Sequence, residues 1–65
     1  MFHRINDKNI VDLNDVSYVA VDMNQQGMWE LRIFLKQVEH YMFIQYILEE
    51  EAMMAFEDLV KKLEN

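Results

Sequence analysis

The amino-acid sequence predicts an α+β domain: an antiparallel β-meander of three to four strands, with one C-terminal amphipathic helix packed on one face. Three observations predict it. Residues 29–36 alternate apolar and polar with the period of two that marks a half-buried strand. Residues 49–63 carry an apolar stripe at helical spacing, with charged residues opposite. The segments between are rich in β-branched and aromatic residues and are punctuated by short turn-forming clusters. At 65 residues the chain makes a single domain, 1–65.

Strands are expected near 2–5, 10–22, 28–36 and 40–47, and the helix over 49–63. Residues 2–5 and the start of 10–22 flank Asn6-Asp7-Lys8-Asn9, a good turn, so a short hairpin opens the chain. Val16-Ser17-Tyr18-Val19-Ala20-Val21-Asp22 then leads through Met23-Asn24-Gln25-Gln26-Gly27-Met28, where Asn24 and Gly27 both tolerate positive φ. In the next strand Trp29, Leu31, Ile33 and Leu35 share one face and Glu30, Arg32 and Lys36 the other. Phe34 breaks that polar face. Residues 37–48 read two ways. Their aromatic and β-branched content favours a strand, whereas the absence of Gly, Pro, Ser or Asn between Met28 and Glu57 would allow a long helix.

The helix has the clearest pattern. Ala52, Phe56, Leu59, Val60 and Leu63 form its stripe, with Met53 and Ala55 at the edges. Glu49, Glu50 and Glu51 sit at the positive end of its dipole and Lys61 and Lys62 at the negative end. Its start is weak, because Leu48 stands where a capping Ser, Thr, Asp or Asn is worth about 0.5–2 kcal/mol.

Taken together, Ile10-Val11-Asp12-Leu13-Asn14-Asp15-Val16-Ser17-Tyr18-Val19, two further strands and Glu49-Glu50-Glu51-Ala52 resemble short uncharacterised bacterial and phage proteins, a β-meander closed by a helix that opens with acidic residues and alanine. The resemblance spans nearly the whole chain as a pattern. It implies the fold and transfers no functional residue.

Composition excludes more than it selects. With no cysteine, disulfides, thiolate metal sites and a Cys nucleophile are absent. The charge of −6 disfavours nucleic acid and anionic membranes. No apolar run approaches the ~20 residues of a membrane span, and the first eight residues do not read as a signal peptide, so a cytoplasmic address is expected. His3 and His40 lack metal-ligand spacing, and no carboxylate cluster has an EF-hand frame. Ser17 has no elbow glycines around it, and one glycine cannot build a phosphate loop. The expectation is therefore no enzyme, no catalytic residue, no metal and no cofactor.

The informative oddity is surplus apolar surface. Residues 40–48 are apolar on both faces, yet one helix can cover only one side of a small sheet. Phe34 adds to this surplus, as does Met54 on the polar side of the helix. The expected interface is therefore Phe34, Tyr41, Met42, Phe43, Ile44, Tyr46 and Met54, and the expected function is a non-catalytic protein-interaction domain, a homodimer in particular. Two alternatives stay open: a sheet face that stacks single-stranded nucleic acid on aromatics beside Arg32 and Lys36, and an acidic, phage-type inhibitor of a basic protein.

Overall fold

A computed structural model describes residues 1–64. Among them the chain forms five antiparallel strands, one 3-10 turn and one helix. Strands β1 (Phe2–Asn6) and β2 (Asn9–Asp12) make a two-stranded sheet, and β3 (Val16–Met23), β4 (Trp29–Leu35) and β5 (Tyr41–Tyr46) make a three-stranded sheet in that order. The helix α1 (Glu49–Glu64) closes the fold. The predicted α+β class and C-terminal helix are both present. The strand count is higher than three to four, and the meander is divided between two sheets.

The extra strand comes from a break within 10–22, which the sequence pattern had run together. The Asp12 side chain accepts a hydrogen bond from the Asn14 backbone N–H at 3.1 Å, capping a 3-10 turn over Leu13–Asp15. An aspartate that bonds the backbone two residues on competes with strand pairing. The chain turns there, and the Leu13 N–H bonds the Met1 carbonyl at 2.8 Å. β1 and β2 therefore end before β3 begins. Residues 41–46 resolve as strand: each residue from Tyr41 to Tyr46 has an antiparallel partner on β4, from Phe34 to Trp29, without a register shift.

Strand β4 lies at the centre of the larger sheet and carries the core. Leu31 and Ile33 are fully buried, as are Ala52 and Leu59 of the helix laid across them. Each large apolar side chain buried this way contributes about 1.5–3 kcal/mol. Val19 and Val21 of β3, Met42 and Tyr46 of β5, and Phe56 and Leu63 of the helix pack around this centre. From the smaller sheet Val11 is buried and Ile5 half-buried against the same cluster. His3, paired with Val11, points the same way, and its Nε2 lies 3.7 Å from Asp58 of the helix.

The helix begins as its sequence suggests, without a side-chain cap. The Glu51 and Ala52 N–H groups bond only the Leu48 carbonyl, at 3.2 and 3.3 Å, while Glu49 to Glu51 supply the negative charge that its dipole favours. No helix among the described residues is long and apolar enough to cross a membrane.

Candidate interaction surface

Successive residues of a strand face opposite sides, so the register of β3, β4 and β5 sorts every side chain of the sheet. One side meets the helix. The other is uncovered and presents three cross-strand rows: Tyr18, Phe34 and Tyr41; then Ala20, Arg32 and Phe43; then Asp22, Glu30 and Gln45. The first two rows bring four aromatic rings together. Phe34 lies 5.0 Å from Tyr18 and 4.9 Å from Tyr41, centroid to centroid, and Tyr41 lies 6.1 Å from Phe43. All three contacts are tilted, the arrangement that avoids face-to-face quadrupole repulsion. Tyr18 is 59% exposed and Phe43 51%. The array is organised but not covered.

The third row is polar, and it bonds to Arg32 of the second row and to Asn24 of the β3–β4 turn. Glu30 is 6% exposed, a low value for a carboxylate on an open face. Its Oε1 accepts from Arg32 Nε at 2.9 Å and its Oε2 from Asn24 Nδ2 at 3.0 Å. Arg32 also reaches Asp22 at 3.4 Å and places its guanidinium 5.6 Å from the centre of the Tyr41 ring. The Asn24 hydrogen bond, and next the Arg32 one, hold the Glu30 carboxyl below the usual carboxylate range, against a desolvation that would raise it. In return the Glu30 hydrogen bond pushes the Arg32 pKa up. The cover over Glu30 is one side chain deep.

Asn24 ties this row to the β3–β4 turn. Its side-chain oxygen accepts from the N–H groups of Gln26 and Met28, both at 2.9 Å, and its backbone N–H bonds the Met28 carbonyl at 2.8 Å. Asn24 thus shapes the turn through its side chain, while the positive φ falls to Gly27 alone, at +83°. The sequence pattern had offered positive φ to both. A shallow concavity of about 480 Å³ opens between this turn and Arg32, Tyr41 and Phe43.

No protein-family model, curated protein or solved structure matches this chain. Its chemistry has to be read from its own geometry.

The structure divides the interface expected from sequence. Phe34, Tyr41 and Phe43 come together on the open face. Met42, Ile44 and Tyr46 point to the helix side, where Met42 and Tyr46 join the core and burial raises the Tyr46 pKa. Strand β5 therefore alternates, exposed then half-buried, along its whole length. Met54 stands apart on the outer face of the helix, 73% exposed. Tyr18 belongs to the surface and was not among the expected interface residues. The parity of Val19 and Val21, facing the core, was the signal that places it there.

The other polar residues singled out from sequence have local roles. Ser17 donates its hydroxyl to the Phe34 carbonyl at 3.1 Å, beside the irregular register between Val16 and Tyr18. His3 faces Asp58, and His40 precedes β5 in an exposed loop. Among the described residues no three His, Asp or Glu side chains converge on one point.

Proposed function

We propose that this protein is a non-catalytic protein-interaction domain that self-associates through the surface its helix leaves uncovered, the aromatic sheet face and the β5 edge that bounds it. The observation that carries the reading is the contiguous array of Tyr18, Phe34, Tyr41 and Phe43 on that face. Scattered exposed apolar groups are ordinary on protein surfaces, but a contiguous aromatic cluster marks a contact site. Aromatic residues and arginine are also the types that dominate binding energy at interfaces.

Size supports the same reading. A core in a chain this short rarely supplies more than about 3–5 kcal/mol, and small domains are commonly completed by disulfides, metals or a second subunit. The sequence has no cysteine. A nucleic-acid role gains nothing from the geometry, because Arg32 is already matched by Glu30 and Asp22. Sedimentation equilibrium at micromolar concentration should give twice the 7.9 kDa chain mass. A stable monomer at high concentration would refute the self-association.

A further inference from the structure

We infer that two copies join through β5, edge to edge and antiparallel about a two-fold axis at Phe43, to make one continuous six-stranded sheet. The inference rests on the self-association proposed above and specifies how the copies meet.

The β5 edge is built for pairing. It hydrogen-bonds β4 on one side and, among the described residues, has no strand on the other. Its six residues, Tyr-Met-Phe-Ile-Gln-Tyr, contain no charge and no proline, and their register with β4 runs without a bulge. Exposed edges are normally blunted by charge, proline or a bulge, because unpaired backbone groups recruit another chain. The opposite edge shows such protection: β3 carries Asp22, whose carboxylate also bonds the Met23 N–H at 2.9 Å, and its register shifts between Val16 and Tyr18. One free edge is guarded and the other is not.

Area argues against the aromatic face acting alone. Three strands about 4.8 Å apart and five residues of about 3.3 Å make that face roughly 14 by 17 Å, or about 240 Å² in projection. A standard specific interface buries about 800 Å² per partner. Face-to-face stacking would draw on that footprint alone, with no backbone hydrogen bonds across the contact. Edge pairing supplies a ladder of backbone hydrogen bonds in addition to side-chain contact.

Directly opposed residues on antiparallel strands share a face, which limits the registers. An axis at Phe43 sets Phe43 against its own copy and Tyr41 against Gln45 on the open side, with Met42 against Ile44 on the helix side. An axis at Ile44 would oppose as many apolar pairs within β5, with Phe43 rather than Tyr41 against the Gln45 amide; the Phe43 register is the one that sets the two Phe43 rings against each other on the open face. It also merges the two aromatic arrays across the seam. Because the three-stranded sheet has one unguarded edge, a two-fold contact through it uses that edge on both copies and closes at two.

The natural absence of cysteine makes the register directly testable by crosslinking in the full chain. Opposed Cα atoms on antiparallel strands lie about 4.5–5.5 Å apart, within disulfide reach, whereas diagonal neighbours lie about 7–8 Å apart. On mild oxidation Phe43→Cys should form a covalent dimer and Tyr18→Cys should not. An equal mixture of Tyr41→Cys and Gln45→Cys proteins should crosslink to each other, and this second pair decides the matter if Phe43→Cys fails to dimerise for want of its ring. Phe43→Lys, which sets two like charges at the axis, should weaken the dimer about tenfold or more, and more than Phe34→Lys does. If the natural protein is a dimer but only Tyr18→Cys crosslinks, the copies meet through β3 or the open face and the β5 edge contact is overturned. If neither register crosslinks in a protein that still sediments as a dimer, the edge contact is again overturned while self-association stands. A monomeric natural protein overturns both.

Discussion

Strand β4 serves two surfaces of opposite character, and the contrast shows what each needs to stay ordered. Toward the helix, Leu31 and Ile33 are fully buried among valines, Phe56 and Leu59. Their order follows from packing, which is non-directional and needs only apolar volume of the right shape. Away from the helix, no strand or helix among the described residues lies over Glu30, Arg32 and Phe34. Their order comes from directional bonds: Asn24 and Arg32 to Glu30, Arg32 to Asp22, and tilted ring contacts through Phe34. The covered face stabilises the domain. The open face is held in shape without being filled, which is the state suited to meeting a partner with little reorganisation.

The largest expected effect breaks the covered face. Leu59 is fully buried between helix and sheet, so Leu59→Ala removes apolar contact and leaves a cavity. Such truncations cost about 2–5 kcal/mol, comparable with the whole stability of a domain this small. Circular dichroism should show a largely unfolded chain at 25 °C. Phe56→Ala should cost about 3 kcal/mol, the low end for a phenylalanine, because Phe56 is only half-buried. If the Leu59→Ala melt matches that of the natural protein, the helix does not hold the sheet.

Next comes the polar network of the open face. Glu30→Ala removes the acceptor shared by Asn24 and Arg32 and leaves both donors to find water. Loss of one such acceptor costs about 1–3 kcal/mol, and for a domain this small each kcal/mol lowers the melting temperature by about 4–8 °C. The Asn24 turn should loosen as well, which amide hydrogen exchange at Gln26 and Met28 would register. Unchanged exchange there would show that the turn stands without Glu30.

How much of this was legible in the sequence follows the same division. The covered face was readable because burial writes a period: two along residues 29–35, and 3.6 along the helix. The break at Asp12 was not, since a side chain bonding the backbone two residues on leaves no periodic trace. For residues 37–48 the pattern could not choose between strand and helix, and pairing of residues 41–46 with β4 makes that part strand. The open face was half legible. Phe34 stood out as a violation of the polar stripe, but Tyr41 and Phe43 could be separated from Met42 and Tyr46 only once register assigned their sides. The Asn24–Glu30–Arg32 network depends on the turn returning Asn24 over β4, a three-dimensional fact with no signal at that spacing.

A smaller effect tests whether the aromatic array matters to the fold itself. Tyr18 is 59% exposed and touches Phe34 through one ring contact. An aromatic pair adds about 0.5–1.5 kcal/mol beyond the area it buries, so Tyr18→Ala should lower stability by about 1 kcal/mol in urea unfolding. That is a fraction of the Leu59→Ala loss. A cost equal to that of Leu59→Ala would place Tyr18 in the stabilising core and remove the distinction between the two faces.

The smallest expected effect is on pH dependence, and it separates the faces by sign. Glu30, on the open face, has its folded pKa lowered by Asn24 and Arg32, so the folded state favours its charged form. The stability this adds is present above the unfolded value near 4.5 and is lost as pH falls through the lower folded value. Tyr46, on the covered side, has its folded pKa raised, first by burial and then by Glu51, so the folded state favours its neutral form. Its contribution is intact below the unfolded value of 10 and falls as pH rises beyond it. Urea unfolding across pH should therefore show an acid limb that flattens in Glu30→Gln and an alkaline limb that flattens in Tyr46→Phe. The effects should be modest, because Glu30 lies under a single layer of side chains and Tyr46 is only half-buried. Each variant should leave the other's limb unchanged, since the two residues face opposite sides of the sheet. If Glu30→Gln altered the alkaline limb, the two surfaces would be coupled through β4, and the open face could not be treated as independent of the core beneath it.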